Sequence, residues 1–327
     1  MLPAFSYARP LHLKDAVRQL SAQRAVIHAG GTDLLGCLRD GIMPVDKVVS
    51  ISALEELYGI RETNDGGAII GALTTITELS ESSVIRKKYP GLAASAGEVA
   101  SPQLRNQGTI GGNLCQKPRC WYYRGEFDCL RKGGDKCYAI DGENQFHAIF
   151  GHEDICAITH PSDTAPVLEA LNARIHITGE NGQRTISVSD LFVLPSENVM
   201  VETALEVNEI ITHTQLPPPA ANLRSAYRKV RARRAWDFAL AGVALALEIE
   251  DDRVINGRVV LSGAAPVPWR SYQVENVIMG KKLDGKTIAE ASQAAIEGAE
   301  PLSENAYKLF LFKGIIEEEL EAIKNNK

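Results

Sequence analysis

The chain has 327 residues, 45% of them hydrophobic and 23% charged, enough for well-filled cores and, by length, two or three domains. That balance excludes a disordered or collagen-like chain. A net charge of −6, with basic residues only in short clusters, argues against nucleic acid as a partner, because such binders carry a strong basic footprint.

The amino-terminal MLPAFSYARPLHLKDAV shows no basic start followed by an apolar stretch and a small-residue cleavage site. A cytoplasmic location is therefore expected, with carriage by an exported partner left open. Apolar residues at helical spacing predict a helix over Leu13 to Leu20, followed by a strand over Arg24 to His28. Ala29-Gly30-Gly31-Thr32-Asp33 then turns into a helix from about Leu34 to Asp40, with Gly41 at its C-terminus, and Val48, Val49 and Ile51 form the next strand. Residues 1–53 thus read as a small α/β lobe.

Residues 54–219 read as a second, α+β lobe. Gly67 to Leu73 is strand-like, and Tyr89 to Val99 is a helix with Pro90 in its first turn. Asp163 opens a helix reaching Leu171, and the alternating RIHIT and RTISVS segments flank Glu180-Asn181-Gly182 as a hairpin. A cysteine-rich stretch, about residues 115–158, interrupts this lobe. Pro217-Pro218-Pro219 marks the next boundary. Residues 220–327 form the third unit, with strands in AYRKV, Phe238 to Ile249 and RVVLSG, and helices over Lys286 to Ala299 and Ser303 to Ile323, Ser303 acting as N-cap. The apolar run Phe238 to Leu247 is flanked by Asp237 and Glu248 and falls well short of the roughly 20 residues of a membrane span. No internal repeat or low-complexity tract is present.

The cysteines are the strongest chemical signal. Of the six, Cys37 stands apart, while Cys115, Cys120, Cys129, Cys137 and Cys156 crowd into one stretch. Structural zinc usually recruits close C-x2-C pairs, and none occurs here, so an iron-sulfur cluster held by single cysteines is favoured over zinc. Lys117, Arg119, Arg124, Arg131, Lys132 and Lys136 lie among them and would offset thiolate charge, unless they form an ordinary solvated basic loop. The following Trp121, Tyr122 and Tyr123 fit packing that shields the site from water.

Two glycine segments add a second signal. AGGTDLL at Ala29 to Leu35 and TIGGN at Thr109 to Asn113 would let backbone approach a pyrophosphate closely, although neither is the G-x-G-x-x-G or P-loop pattern and a tight turn explains either one alone. Together they suggest a dinucleotide in a crevice between lobes. In His160-Pro161-Ser162-Asp163, Asp163 is either a helix cap or a carboxylate for a ribityl or ribose hydroxyl, and Lys229 in the alternating Tyr227-Arg228-Lys229-Val230-Arg231 is a candidate flavin contact.

AGGTDLL, RNQGTIGGN, HPSD and YRKVRAR, in that order, resemble the FAD-binding medium subunit of the molybdenum hydroxylases, the group that includes xanthine dehydrogenase and carbon monoxide dehydrogenase. The resemblance covers essentially the whole chain. LCQKPRC, FDC, DKC and EDIC further resemble the subset with an extra 4Fe-4S cluster, namely the aldehyde oxidoreductase FAD subunit and the 4-hydroxybenzoyl-CoA reductase β subunit; HPSD, VPWR and ENAYKLFLFKG favour the former. The fold implied is α+β: a two-lobed vanillyl-alcohol-oxidase/PCMH-type FAD domain, then a domain of antiparallel sheet and helices. The resemblance implies FAD contacts from Ile27, His28, Ala29, Gly30, Gly31, Thr32, Asp33 and Leu34, from Thr109, Gly111, Gly112 and Asn113 opposite, and from Asp163, Ile211 and Lys229. It implies Cys120, Cys129, Cys137 and Cys156 as cluster ligands and omits Cys115, a position that also holds cysteine in relatives without the cluster. The chain would then be an electron-transfer oxidoreductase subunit, with no catalytic residue of the hydroxylation itself. Its partners would be a molybdopterin large subunit and a 2Fe-2S small subunit, in a heterotrimer or a dimer of heterotrimers. The loop's basic residues suggest docking of an acidic carrier such as ferredoxin. An electron-input subunit of the acyl-CoA-reductase kind and a non-catalytic zinc scaffold are the alternatives.

Overall fold

The computed structural model describes residues 1–233 and 236–325; residues 234–235 and 326–327 of the third unit lie outside the described residues. Three sheets follow one another along the chain. The first has three parallel strands, in the order Ser6–Ala8, Lys47–Ser50, Ala25–His28, connected through the helices Leu13–Leu20 and Leu34–Arg39. Ala16, Val17 and Leu20 make one face of Leu13–Leu20 and pack with Val49, Ile51, Leu54, Leu57, Leu73 and Ile210. That cluster already joins the first sheet to the second.

The second sheet has five strands with antiparallel pairing, in the order Ile60–Glu62, Ala68–Gly71, Ile210–Leu216, Arg174–Gly179, Gly182–Ser187. Its hairpin turns between Gly179 and Gly182, where the sequence places it. Thr75 and Glu78 form a reciprocal capping box that starts the helix Ile76–Glu81, and Pro90 occupies the first turn of Pro90–Glu98.

The third sheet is antiparallel, with strands Leu223–Val230, Ala241–Glu250, Arg253–Ser262 and Trp269–Arg270. Ala241–Glu250 reads as an unbroken apolar run because both of its faces are covered. Ala244 and Ala246 face the core shared with the helix Thr164–Ala170 and the second sheet, whereas Val243, Leu245 and Leu247 face a core with Phe312, Ile315 and Ile316. The period of two along a strand produces this division. Among the described residues no helix is long and apolar enough to cross a membrane.

The last helix is Tyr307–Asn325, so the expected start at Ser303 is corrected. The Ser303 hydroxyl instead accepts from Asn144 Nδ2 at 3.0 Å, and Asn305 donates to the carbonyls of His147 and Ala148 at 3.2 and 3.1 Å. Both side chains are thus committed to the cysteine-rich stretch.

Lys308 completes this clasp. It is 0% exposed, and its Nζ donates to the carbonyls of Phe146 at 3.2 Å, His147 at 2.8 Å and Gly263 at 2.8 Å. Burial pushes its pKa down to about 7. The unfolded amine keeps its proton to about pH 10.4. Between these values the unfolded state binds the extra proton, so rising pH favours folding, by at most about 1.4 kcal/mol per pH unit. Urea unfolding across this range should therefore show the stability of wild type relative to Lys308→Met increasing with pH; parallel profiles would mean that the folded amine keeps its charge.

Candidate functional site

The strand Ala25–His28 delivers the chain into the first glycine loop. From Gly30 through Leu34, the backbone N–H groups donate to no acceptor among the described residues, leaving a run of donors for an anion. A Cβ at Gly30 would lie 2.0 Å from the Gln107 carbonyl oxygen, so only glycine admits this approach of the two loops. Gly31 has φ +73°, and a Cβ there would meet His28 Nε2 at 2.7 Å. His28 Nδ1 is buried without a partner, and burial holds the imidazole pKa below its ordinary value. Free N–H groups and a close glycine approach of this kind suit an anion.

The second glycine segment forms the helix Ile110–Leu114, where the Thr109 hydroxyl accepts from the Gly112 N–H at 3.2 Å. Asn113 Oδ1 accepts from the hydroxyls of Ser162 at 2.5 Å and Thr164 at 2.7 Å. The fold thereby brings TIGGN against HPSD. Asp163 occupies the N-cap position of Thr164–Ala170 but makes no cap bond. Its carboxylate instead receives Tyr227 Oη–H at 2.7 Å and Lys229 Nζ at 2.7 Å, in a pair whose side chains are 6% and 1% exposed. Burial raises the Asp163 carboxyl pKa, while Lys229 and Tyr227 oppose the rise. Asp163 and Lys229, both expected near the cofactor, are thus each other's partners. Tyr227 joins them from the same strand; only its even spacing from Lys229 could have pointed to it.

The side chains of three other expected residues pack into apolar clusters. Ile27 packs on the core beside the first sheet, Leu34 on a smaller cluster with Leu38, Val45 and Val48, and Ile211 lies in the core of the second sheet opposite Ile177. Asp33 turns away from the glycine loop towards the cysteine-rich stretch. It accepts the Lys117 backbone N–H at 2.7 Å and pairs with Arg119 at 3.0 Å and Arg124 at 2.9 Å.

Cys120, Cys129, Cys137 and Cys156 line one small cavity, with Tyr122, Tyr123, Arg131, Tyr138 and His147. Cys115 does not line it, and burial pushes that thiol up to about 12. Cys137 is drawn down to about 6, chiefly by a hydrogen bond from Cys156 and also by backbone N–H groups that include Ala139 and Ile140; Cys156 is raised correspondingly. His147 Nε2 lies 3.2 Å from Cys120 Sγ, and burial lowers the His147 pKa to about 4. No sequence spacing singled out His147. Trp121 meets the His147 ring edge-on at 5.5 Å, and Tyr122 packs against Phe127 at 4.9 Å. Among the described residues, no group of three or more Cys, His, Asp or Glu is arranged to hold a single metal ion.

The loop's cations are turned inward, which corrects the expected acidic-carrier surface. Lys117 and Arg131 pair with Glu202, Arg119 and Arg124 with Asp33, and Lys132 donates to the Gly125 carbonyl. The exposed charges between residues 125 and 144 are Glu126, Asp128, Asp135, Asp141 and Glu143, against Lys136. Burial explains the difference: a charge in a water-poor loop needs an opposite charge, and Asp33 and Glu202 supply it. Asp33→Asn should therefore lower stability by on the order of 1–3 kcal/mol in thermal unfolding, while the more exposed Asp40→Asn leaves it unchanged; equal transitions would show that Asp33 carries no such load.

The description "FAD binding domain in molybdopterin dehydrogenase" matches residues 3–219, and "CO dehydrogenase flavoprotein C-terminal domain" matches residues 225–316. The aldehyde oxidoreductase FAD-binding subunit PaoB of Escherichia coli is 35% identical over 322 residues, 95% of this chain and 96% of that one. The carbon monoxide dehydrogenase medium chain of Hydrogenophaga pseudoflava is 28% identical, over 91% and 88% of the two chains. A solved carbon monoxide dehydrogenase from that organism superposes with a TM-score of 0.79 at 26% identity, covering 99% of this chain and 98% of the other. With both halves matched, the chain belongs to the FAD-binding medium subunits of the molybdenum hydroxylases and is an oxidoreductase subunit.

Proposed function

We propose that this subunit holds one FAD and one 4Fe-4S cluster and carries electrons between a molybdopterin subunit with its 2Fe-2S partner and an external acceptor, in an enzyme that oxidises aldehydes or aromatic heterocycles. The observation that carries the cluster reading is the convergence of Cys120, Cys129, Cys137 and Cys156, and not Cys115, on one cavity. A cubane cluster takes one thiolate per iron, which suits four cysteines spread over a cavity wall; a lone zinc needs its ligands around one point. The 35% identity to an aldehyde oxidoreductase subunit supports the aldehyde side of the substrate class.

When bound, the flavin and cluster supply the redox chemistry, which their surroundings tune. The chain's own residues position and enclose them. The free N–H groups of Gly30 to Leu34 would hold the pyrophosphate, with Ala29, Thr32 and the Thr109 to Asn113 segment at the crevice. Asp163, Lys229 and Tyr227 would form its buried polar wall, and Trp121 and Tyr122 would keep water from the cysteines. The division into residues 1–53, 54–219 and 220–327 is part of this reading, with the crevice between the first two.

The test is anaerobic purification of the complex with iron, zinc, sulfide and flavin quantified per chain. About four iron and one FAD, after subtraction of partner clusters, are expected. Zinc without flavin overturns the reading. Cys137→Ser should lose the iron and keep the flavin, whereas Gly30→Val should displace Gln107 and lose the flavin first.

A further inference from the structure

Arg131 is buried deep in the cysteine loop and is only half used. Its side chain is 1% exposed. Nη1 donates to Glu202 Oε1 at 2.8 Å and to the Val201 carbonyl at 3.1 Å. Nε and Nη2 are equally buried yet make no hydrogen bond, to sulfur or otherwise, among the described residues. The same side chain lines the cavity of the four cysteines, with Cys156 close enough to act on its charge. A buried guanidinium with idle N–H groups is costly unless an acceptor is supplied on that side. The cavity it lines carries the four cysteine sulfurs beside Tyr122, Tyr123, Tyr138 and His147, and thiolates there would supply the acceptor. Glu202 does not account for the arrangement, because it already pairs with Lys117 and meets only one edge of the guanidinium.

We propose that Arg131 is a positioning and tuning residue that donates towards the Cys156 thiolate and raises the reduction potential of the cluster, a proposal that rests on the cluster reading above. Adding one electron to a four-thiolate cluster increases its negative charge by one. A fixed cation at the wall favours that reduced form, and its hydrogen bonds to sulfur act in the same direction. Glu202 works against it by neutralising part of the guanidinium charge. The two residues are thus an opposed pair, and the resting potential reflects their balance.

The test is an EPR-monitored redox titration of the intact complex, with iron and flavin quantified for each variant. Arg131→Gln should keep its iron and be about tenfold less reduced at a given ambient potential, a shift of about 59 mV for one electron. Arg131→Lys should recover part of the shift, and Glu202→Gln should move the potential the other way. Unchanged potentials in Arg131→Gln and Glu202→Gln at full iron overturn the proposal. If Arg131→Gln loses its iron, Glu202→Gln decides: a raised potential supports the role and a constant one overturns it. A wild-type complex without iron defeats the cluster reading, and this proposal with it, before any variant is compared.

Discussion

The loop of residues 115–158 forms only short helical turns and no strand among the described residues, and charged and polar side chains from elsewhere grip it. Asp33 reaches it from the first sheet's crossover, Glu202 from the connection between two strands of the second sheet, and Lys308 and Asn305 from the third unit. Its apolar anchorage is short: Ile149 and Phe150 enter the core of the third unit, where Phe150 stacks on Trp269 at 5.3 Å. Half-buried ion pairs of this kind contribute modestly while intact and cost more when one partner is removed. The loop is therefore rigid only as a property of the whole chain.

The same sharing governs the crevice proposed for the flavin. One core contains residues of the second sheet together with Tyr227, Ala244, Ala246 and Val260 of the third. The Asp163 pair with Lys229 spans the same boundary from inside. A wall built from two units in this way cannot open by swinging one sheet on a hinge without unpairing a buried charge.

The repeating parts of the fold were legible because apolar spacing reports them directly. The helix Leu13–Leu20, the hairpin at Gly179 to Gly182 and the strand Ala241–Glu250 follow from periodicity, turn residues and an unbroken apolar run. The strand Ser6–Ala8 escaped because its three residues are largely exposed and carry no pattern, and the helix start at Tyr307 because Ser303 caps a different partner. In the site, the glycines and cysteines announced themselves by type and clustering. The direction of Asp33 did not, since a carboxylate beside a glycine loop serves a ligand or a distant arginine equally well on paper. Glu202, Tyr227 and His147 act through contacts across the chain, which no local pattern records.

The Lys308 clasp bears on the order of events during synthesis. Residues 146 and 147 are held by an amine that follows them by about 160 positions, on a helix near the end of the described chain. A chain emerging from the ribosome folds its earlier elements first. The cysteine-lined cavity is accordingly finished late, after the third sheet has formed and its last helix has docked. Until then the cavity lacks the clasp that Lys308 and Asn305 place on residues 147 and 148.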